Sequence, residues 1–327
     1  MKLEPNVWFD EVVKTYHLIS PHIHHTQLVT CPDLNEELGG RYLFKPESLQ
    51  ITGSFKVRGA LSAISRLSKD ELKRGVIAYS SGNHAQGVAH AAKVFNTPAT
   101  VVMPKDAPER KIANARALGA QVIFYDRRTE NREEMSREIA KEKNLVIINP
   151  YDALETIYGQ GTAAYEVIHD ANNPKLDNAI ICAGGGGLTA GSCISIKHIN
   201  PQCNVFTAEP EEWNDHQLSF EKNERVAMDT NRGGLCDGLL TPTPGEIPFA
   251  INTYFGVKGL SASDQAVCEA MRFAFNRLNL KLEPSGAVAL ACLLQNKEKF
   301  RGSRTLVMLS GGNVDQKTFA ECLAKAS

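Results

Sequence analysis

Short apolar segments alternate with longer stretches of helical periodicity along most of the chain. The predicted strands are 75–81, 98–104, 120–126, 145–149, 179–184, 204–210 and 305–311. The predicted helices are 83–95, 108–118, 130–143, 187–199, 263–279 and 284–297. This alternation predicts an α/β protein in which helices cover both faces of parallel sheets. Such sheets bind ligands at the carboxyl ends of their strands, so chemistry is expected in the segments that follow the strands.

The spacing of these elements predicts two domains. Three strand–helix units follow one another closely between about residues 75 and 149, and they predict a compact smaller domain, 75–150. The larger domain is then built from both ends of the chain, 1–74 and 151–327. The turn residues Asn149-Pro150-Tyr151-Asp152 mark the return from the smaller domain to the larger one.

Composition and charge narrow the class of protein. The chain has 327 residues, of which 43% are hydrophobic and 22% are charged, as in soluble globular proteins. A net charge of −1 gives no reason to expect nucleic acid or a membrane as a partner. No apolar run reaches membrane-spanning length, and the acidic N-terminal segment does not resemble an export signal. Eight cysteines without a CxxC pair favour buried free thiols in the reducing cytoplasm.

A lysine stands where a helix begins. In ITGSFKVRGA, 51–60, Lys56 follows Phe55 and precedes a helical pattern. Helix N-termini favour acidic groups, so the helix itself does not explain this cation. A lysine in a dry site can lose its proton and act as a nucleophile or base, and its amine can form a Schiff base with an aldehyde.

Three predicted strands are followed by small and polar residues. AGGGGLTAG, 183–191, lies between a strand and a helix, where glycine amides and the helix N-terminus can bind a phosphate. YSSGNHAQGVAH, 79–90, offers hydroxyls and amides to a carboxylate, although its serine and asparagine could also be simple helix caps. SGGN, 310–313, again follows a strand. A phosphate site beside a Schiff-base lysine favours pyridoxal phosphate as the cofactor.

A nicotinamide-dependent oxidoreductase is the competing interpretation. Gly185, Gly187 and Ala190 fit the pattern G-x-G-x-x-G/A. Glu209 ends the next predicted strand, 22 residues after Gly187, close to the spacing of an acid that binds a ribose. This interpretation leaves Lys56 and the other two strand ends unexplained.

Taken together, the motifs resemble those of the fold type II pyridoxal-phosphate enzymes, in particular the serine racemase and serine/threonine dehydratase group. The resemblance implies a tryptophan synthase β-like fold with two doubly wound parallel-sheet domains, and commonly a homodimer. The matching segments follow the order of the family: KPESLQITGSFKVRGAL (45–61), SSGNHAQGVA (80–89), GQGTAAYE (159–166), AGGGGLTAG (183–191), EPEEWND (209–215), EPSGA (283–287) and SGGNVD (310–315).

The resemblance also implies roles for individual residues. Lys56 should form the covalent link to the cofactor and exchange the α-proton. The cofactor should further be bound by Phe55, Asn83, Gly184, Gly185, Gly186, Gly187, Leu188 and Ser310, with Ser310 at the pyridine nitrogen. The substrate carboxylate should be held by Ser80, Ser81, Asn83 and His84, with Arg132 supporting them. In racemases of this group, a serine at the position of Ser81 exchanges the proton on the opposite face.

A divalent cation is a further implication of the resemblance. The pattern EP-x-x-x-x-D of the racemase group corresponds here to Glu209 and Asp215, with the backbone carbonyl of Trp213 as a third ligand. Oxygen ligands suit Mg²⁺, Ca²⁺ or Mn²⁺. The alternative is an acidic cluster on the surface.

The expected function is racemisation of serine combined with dehydration of L-serine and L-threonine to a 2-oxo acid and ammonia. A dehydratase without racemase activity, acting on threonine, serine or 3-hydroxyaspartate, is the first alternative. Tyr151-Asp152 and EPEEWND differ from the vertebrate racemases and resemble microbial members, some of which accept hydroxyaspartate. A cysteine synthase–type enzyme and a non-catalytic binding protein share the fold and are more distant alternatives.

Overall fold

The computed structural model of the protein describes residues 5–80, 82–107, 109–126, 128–170, 175–229 and 233–326. Within these ranges, ten strands form two sheets and fifteen α-helices surround them. The strands are β1 (Val29–Thr30), β2 (Arg41–Pro46), β3 (Val76–Tyr79), β4 (Ala99–Pro104), β5 (Gln121–Tyr125), β6 (Val146–Ile147), β7 (Asn178–Cys182), β8 (Asn204–Pro210), β9 (Lys258–Ala262) and β10 (Arg304–Leu309).

The helices occupy most of the chain between these strands. They are α1 (Pro5–Ile19), α2 (Pro32–Leu38), α3 (Lys56–Ser65), α4 (Lys69–Arg74), α5 (Asn83–Val94), α6 (Glu109–Ala117), α7 (Arg132–Lys143), α8 (Leu154–Asp170), α9 (Gly187–Ile199), α10 (Asp215–Lys222), α11 (Glu246–Tyr254), α12 (Asp264–Leu278), α13 (Pro284–Gln295), α14 (Lys297–Phe300) and α15 (Gln316–Lys325). None of these helices is long and apolar enough to cross a membrane.

The larger sheet has the strand order β1-β2-β10-β7-β8-β9. Its neighbours run parallel except for β1, which is antiparallel to β2. The smaller sheet, β5-β4-β3-β6, is parallel throughout. The predicted α/β class with two parallel sheets is therefore confirmed.

Three strands and one long helix are absent from the sequence prediction. Strand β2 carries Lys45 and ends at Pro46, and β9 contains Leu260 as its single large apolar residue, so neither has a continuous apolar pattern. Helix α8 contains Gly159 and Gly161, which are unusual inside a helix. A Cβ on Gly161 would lie 2.6 Å from the carbonyl oxygen of Gly191 in α9. Close helix packing therefore explains this glycine.

Each of the two sheets is packed against its own hydrophobic residues. One surrounds the larger sheet and includes α8, α9 and α13. The other fills one face of the smaller sheet, and a further cluster that includes Ile77, Val102 and Ala140 covers the opposite face. Helix α3 contributes Val57, Leu61 and other apolar residues to the core of the smaller sheet, although it precedes residue 75. The domain bounds 1–74, 75–150 and 151–327 stay a prediction.

Candidate active site

The carboxyl ends of β3, β7 and β10 meet at one pocket between the two sheets. The pocket brings together every residue predicted to bind cofactor or substrate that the structure describes: Phe55, Lys56, Ser80, Asn83, His84, Arg132, Gly184, Gly185, Gly186, Gly187, Leu188 and Ser310. Ser81, the predicted second acid/base, lies outside the described residues. The three strand ends singled out in the sequence therefore form one site.

Lys56 is the first residue of α3 and faces the pocket. Its Nζ donates a hydrogen bond to the carbonyl of Pro150 at 2.9 Å and lies 5.1 Å from the centre of the Phe55 ring. Among the described residues, no carboxylate forms an ion pair with this amine. Burial lowers the pKa of Lys56 to about 8, and the nearby Arg132 guanidinium adds to the effect. A substantial fraction of neutral amine is thus available near physiological pH.

The glycine loop, residues 183–187, connects β7 to α9. Gly186 has φ +89° and stands directly before α9, a conformation that L-residues with a side chain rarely adopt. A Cβ on Gly185 would overlap the Tyr151 ring, and one on Gly187 would lie 2.7 Å from Oε1 of Gln160. The loop therefore needs glycine for steric reasons, and it presents backbone amides at a helix N-terminus, where a phosphate binds favourably.

His216 packs against this loop, and its role was not predicted from the sequence. Its side chain is fully buried, and Nε2 donates to the carbonyl of Gly184 at 2.8 Å. Burial lowers the pKa of His216 to about 4, so the ring is neutral at physiological pH. No sequence pattern indicates this contact, because the two residues are 32 positions apart in the chain.

The predicted carboxylate site lies at the start of α5. Gly82 precedes the helix, and the amide of Gln86 makes the first intrahelical bond, to the Gly82 carbonyl. The amides of Asn83 and His84 have no partner within the helix, and they can bind a carboxylate. The His84 imidazole donates to the carbonyl of Ile148 at 2.9 Å, and burial lowers its pKa to about 3. His84 can therefore contribute its backbone amide. In its neutral ring Nε2 is engaged by Ile148, whereas Nδ1 is buried without a hydrogen-bond partner.

Glu283 is a pocket residue whose role the sequence did not indicate, although EPSGA contains it. Asn83 donates from Nδ2 to Oε1 of Glu283 at 2.5 Å and accepts at Oδ1 from Asn313 at 2.8 Å. Burial raises the pKa of Glu283 to about 7, against the opposing effect of Lys111. Asn83 is thus held in a fixed orientation at the pocket wall.

Several further residues complete the pocket without having been predicted. They are Tyr79, Lys111, Pro150, Tyr151, Gln160, Cys182, Asp237, Gly238, Leu239, Leu240, Thr241, Glu283 and Ser285. Some of them lie in segments that the sequence analysis singled out: Tyr79 in 79–90, Pro150 and Tyr151 in the turn 149–152, Gln160 in GQGTAAYE, and Glu283 and Ser285 in EPSGA. Arg132 lies 5.9 Å from the Tyr79 ring and forms no ion pair with a described residue. A guanidinium without a counterion can receive an anionic group of a ligand.

The two predicted metal ligands lie next to each other beyond the glycine loop. Glu209 is the penultimate residue of β8, Asp215 begins α10, and both side chains are fully buried. Glu209 accepts from the backbone amides of His216 at 2.8 Å and Gln217 at 2.9 Å, whereas neither carboxyl oxygen of Asp215 has a donor. Burial raises the pKa of both acids, and the neighbouring Asp215 raises that of Glu209 further.

This geometry rules out one of the earlier interpretations of Glu209, and the metal site stays a prediction. The surface-cluster alternative is wrong for Glu209 and Asp215, because both are buried. A buried carboxylate pair needs a shared proton or a cation, so the unpartnered oxygens of Asp215 fit a divalent ion. Within the described residues, no group of three or more histidine, cysteine, aspartate or glutamate side chains could hold a metal. A third ligand would therefore come from the backbone, as predicted for the Trp213 carbonyl.

Comparison with known proteins agrees with the arrangement of the pocket. A family model described as pyridoxal-phosphate dependent enzyme matches residues 19–311. The chain belongs to this family. It is 39% identical over 316 residues to L-threo-3-hydroxyaspartate ammonia-lyase of Saccharomyces cerevisiae, covering 97% of this chain and 96% of the relative. It is 38% identical over 317 residues to serine racemase of Schizosaccharomyces pombe, covering 97% of each.

The fold of this pyridoxal-phosphate dependent enzyme agrees equally well with solved structures. The structure of maize serine racemase superposes with a TM-score of 0.90 at 31% identity, covering 97% of each chain. The protein is therefore a fold type II enzyme of the racemase and ammonia-lyase group. The nicotinamide alternative is wrong, because the chain belongs to the pyridoxal-phosphate dependent family and the Glu209 carboxylate is buried.

The residues of the pocket fit pyridoxal phosphate on structural grounds. The glycine loop offers amides to the phosphate in a space that side chains would fill. Lys56 supplies an amine with a lowered pKa, and no carboxylate in the described part of the chain neutralises it. Ser310 directly follows β10 and lines the same pocket.

Proposed function

We propose that the enzyme racemises serine and dehydrates L-serine and L-threonine to the corresponding 2-oxo acid and ammonia. The observation that carries the proposal is the meeting of Lys56, the glycine loop and the start of α5 in one pocket. Relatives named serine racemase and L-threonine ammonia-lyase, 38% and 34% identical to this chain, support it.

In the proposed mechanism, bound pyridoxal phosphate withdraws electrons from the α-carbon of the amino acid. The amides of the loop from Gly184 to Gly187, with Leu188, bind the phosphate. Asn83 would bind the phenolic oxygen, Phe55 would pack against the ring, and the Ser310 hydroxyl would lie at the pyridine nitrogen. A neutral hydroxyl there would leave that nitrogen unprotonated, which suits elimination.

Lys56 removes the α-proton from one face of the substrate, because its lowered pKa makes the neutral amine accessible. The amides at the start of α5, with Ser80, hold the substrate carboxylate. Ser81 acts as acid and base on the opposite face. Return of a proton on that face inverts the α-carbon. In dehydration the β-hydroxyl accepts a proton and leaves as water, and the resulting enamine is hydrolysed to the 2-oxo acid and ammonia.

The proposal includes a divalent cation, Mg²⁺ by preference over Ca²⁺ or Mn²⁺. Glu209 and Asp215 hold it, together with the backbone carbonyl of Trp213. The burial of both acids and the unpartnered oxygens of Asp215 support this site. The cation is structural or activating and takes no part in the reaction at the α-carbon.

The proposal further places the enzyme in the cytoplasm as a homodimer. All eight cysteines are free thiols and are buried. Free thiols are typical of proteins in a reducing compartment. Homodimers are common in the group that the chain resembles.

Dehydration of 3-hydroxyaspartate is a second candidate function, and Arg132 is the observation that favours it. Its guanidinium lines the pocket and has no ion pair among the described residues. A second carboxylate on the substrate would provide the missing counterion. The 39% identical relative from Saccharomyces cerevisiae carries the name of this activity.

One experiment separates these functions. The purified enzyme is incubated with pyridoxal phosphate, Mg²⁺ and L-serine, and D-serine and pyruvate are quantified together. We expect both products from the natural enzyme, pyruvate without D-serine from Ser81→Ala, and neither from Lys56→Ala. Pyruvate without D-serine from the natural enzyme would contradict the racemase proposal and leave a dehydratase.

The same reactions with L-threo-3-hydroxyaspartate test the second candidate. Arg132→Gln should raise KM for hydroxyaspartate about tenfold or more and KM for L-serine less, because Arg132 only supports the α-carboxylate site but would bind a second carboxylate through a charge-assisted hydrogen bond. Arg137→Gln is the matched control, since Arg137 is exposed on the same helix, α7. Equal effects of Arg132→Gln on both substrates would exclude a role in selecting a second carboxylate.

A further inference from the structure

His216 lies between the glycine loop and the Glu209–Asp215 pair. On the loop side, Nε2 donates to the Gly184 carbonyl at 2.8 Å, and the ring lies so close to Gly186 that a Cβ there would overlap Cε1. The side chain is fully buried. The imidazole is therefore packed against two residues of the predicted phosphate site.

The backbone of the same residue belongs to the carboxylate pair. The His216 amide donates to Oε1 of Glu209 at 2.8 Å, and Asp215 is its neighbour in the chain. The amide of Gln217 donates to the other oxygen of Glu209 at 2.9 Å. Glu209 thus anchors the first turn of α10, and any displacement of Asp215 shifts His216 through a single peptide unit.

We propose that His216 is a positioning residue that couples cation binding at Glu209 and Asp215 to phosphate binding at the glycine loop. The inference rests on the proposed function for the cation and for pyridoxal phosphate. A divalent ion between the acids removes their repulsion and fixes the first turn of α10. The His216–Gly184 hydrogen bond then holds the loop amides in the orientation that a phosphate requires.

The coupling has a thermodynamic consequence. If Mg²⁺ increases the affinity for pyridoxal phosphate by some factor, pyridoxal phosphate must increase the affinity for Mg²⁺ by the same factor. A histidine that only fills space in the core would lower stability when replaced, but it would not link the two binding equilibria. The reciprocal factor therefore distinguishes coupling from packing.

The test uses full-length protein stripped of cofactor. The dissociation constant of pyridoxal phosphate is measured from its absorbance and fluorescence, once with Mg²⁺ and once with EDTA. We expect binding to be at least about fivefold tighter with Mg²⁺, within the usual range of such couplings. Mn²⁺ binding, followed by electron paramagnetic resonance, should tighten on addition of pyridoxal phosphate by the factor by which Mn²⁺ itself tightens the binding of pyridoxal phosphate.

Two substitutions of His216 separate its hydrogen bond from its volume. His216→Phe keeps a ring but removes the donor, and it should weaken pyridoxal phosphate binding about tenfold and abolish the effect of Mg²⁺, while Mn²⁺ still binds. His216→Gln places a donor near the position of Nε2 and should restore the dependence on Mg²⁺. The glutamine variant also keeps the test decisive if the phenylalanine variant does not fold.

Ser219→Ala is the matched control. Ser219 is buried in α10, where its hydroxyl bonds to the Asp215 carbonyl and the Val226 amide, but it does not contact the glycine loop. This variant should lower stability and retain the Mg²⁺ effect. An unchanged Mg²⁺ factor in His216→Phe, or no Mg²⁺ effect in the natural protein, would overturn the inference. Turnover of serine by that same natural protein would leave the proposed function intact.

Discussion

At the scale of single residues, three titratable side chains of the pocket lose hydration to the surrounding protein. Burial lowers the pKa of Lys56 to about 8 and that of His84 to about 3, and it raises the pKa of Glu283 to about 7. The common cause is that loss of water disfavours the charged form of each group. The pocket therefore carries less charge than its residue types suggest. Because burial favours the neutral amine of Lys56, a lysine can be accommodated at the start of α3.

Lys56 in the cofactor-free protein should react with trinitrobenzenesulfonate with a midpoint near pH 8. The folded-state pKa of about 8 lies below the ordinary value of 10.5, so the folded protein binds fewer protons at Lys56 between these values. Lys56 therefore destabilises the fold below pH 8, and this cost is relieved as the pH rises from 8 to 10.5. Labelling is measured by mass spectrometry of peptides, with exposed Lys73 as the reference for reagent reactivity.

Arg132→Gln provides the control for this prediction. Because the Arg132 charge lowers the pKa of Lys56, its removal should shift the labelling midpoint upward. A midpoint near 10.5 in the natural protein would mean that Lys56 is hydrated and not activated by burial.

At the scale of elements, the loop between β7 and α9 is the proposed phosphate site. Its conformation depends on Gly186 at φ +89° and on the contact of that residue with His216. The strand and the helix on either side are ordinary apolar elements, and the proposed phosphate-binding residues lie where they join. The same organisation recurs at the junction of β3 with α5.

Gly186→Ala should weaken pyridoxal phosphate binding by about tenfold or more, because positive φ costs an L-residue roughly 1–2 kcal/mol and the new Cβ displaces His216. Gly256→Ala is the matched control, since Gly256 has φ +65° with nothing within 4 Å of the position of a Cβ. It should lower the free energy of unfolding and leave the dissociation constant of pyridoxal phosphate unchanged. Equal losses of cofactor affinity in both variants would show that backbone strain alone is responsible.

At the scale of the whole molecule, a buried charge network joins α3 to the elements around the larger sheet. Arg58 donates to Glu47 at 2.7 and 2.9 Å, to Glu166 at 2.7 and 2.9 Å, and to Thr162 at 3.2 Å. Lys45 donates to Glu166 at 2.5 Å. The opposite face of α3 packs into the core of the smaller sheet. Lys56 is thus held at the junction of the two sheets.

Glu166→Gln should lower the free energy of unfolding by about 3–5 kcal/mol, because two buried cations lose their shared carboxylate. Asp33→Asn, which removes the exposed pair with Arg277, should cost no more than about 1 kcal/mol. Urea denaturation measures both values. A loss of less than about 1 kcal/mol for Glu166→Gln would show that the network does not stabilise the junction.

The sequence alone determined the α/β class, the seven strands with continuous apolar character and the three strand ends that form the pocket. These features are encoded by neighbours in the chain, because strand and helix periodicity and the position of glycine depend on adjacent residues. The motifs around Lys56, Asn83 and Ser310 were visible for the same reason.

Only the tertiary structure decided the remaining features. Strand β2 was missed because Lys45 belongs in a buried strand only when Glu166, 121 residues away, supplies the opposite charge. Glu283 was missed as a pocket residue and His216 as the support of the glycine loop, because their partners Asn83 and Gly184 are 200 and 32 positions away. Loss of hydration and the pairing of distant polar groups arise when the chain folds, and both the pKa of Lys56 and the support of the glycine loop depend on them.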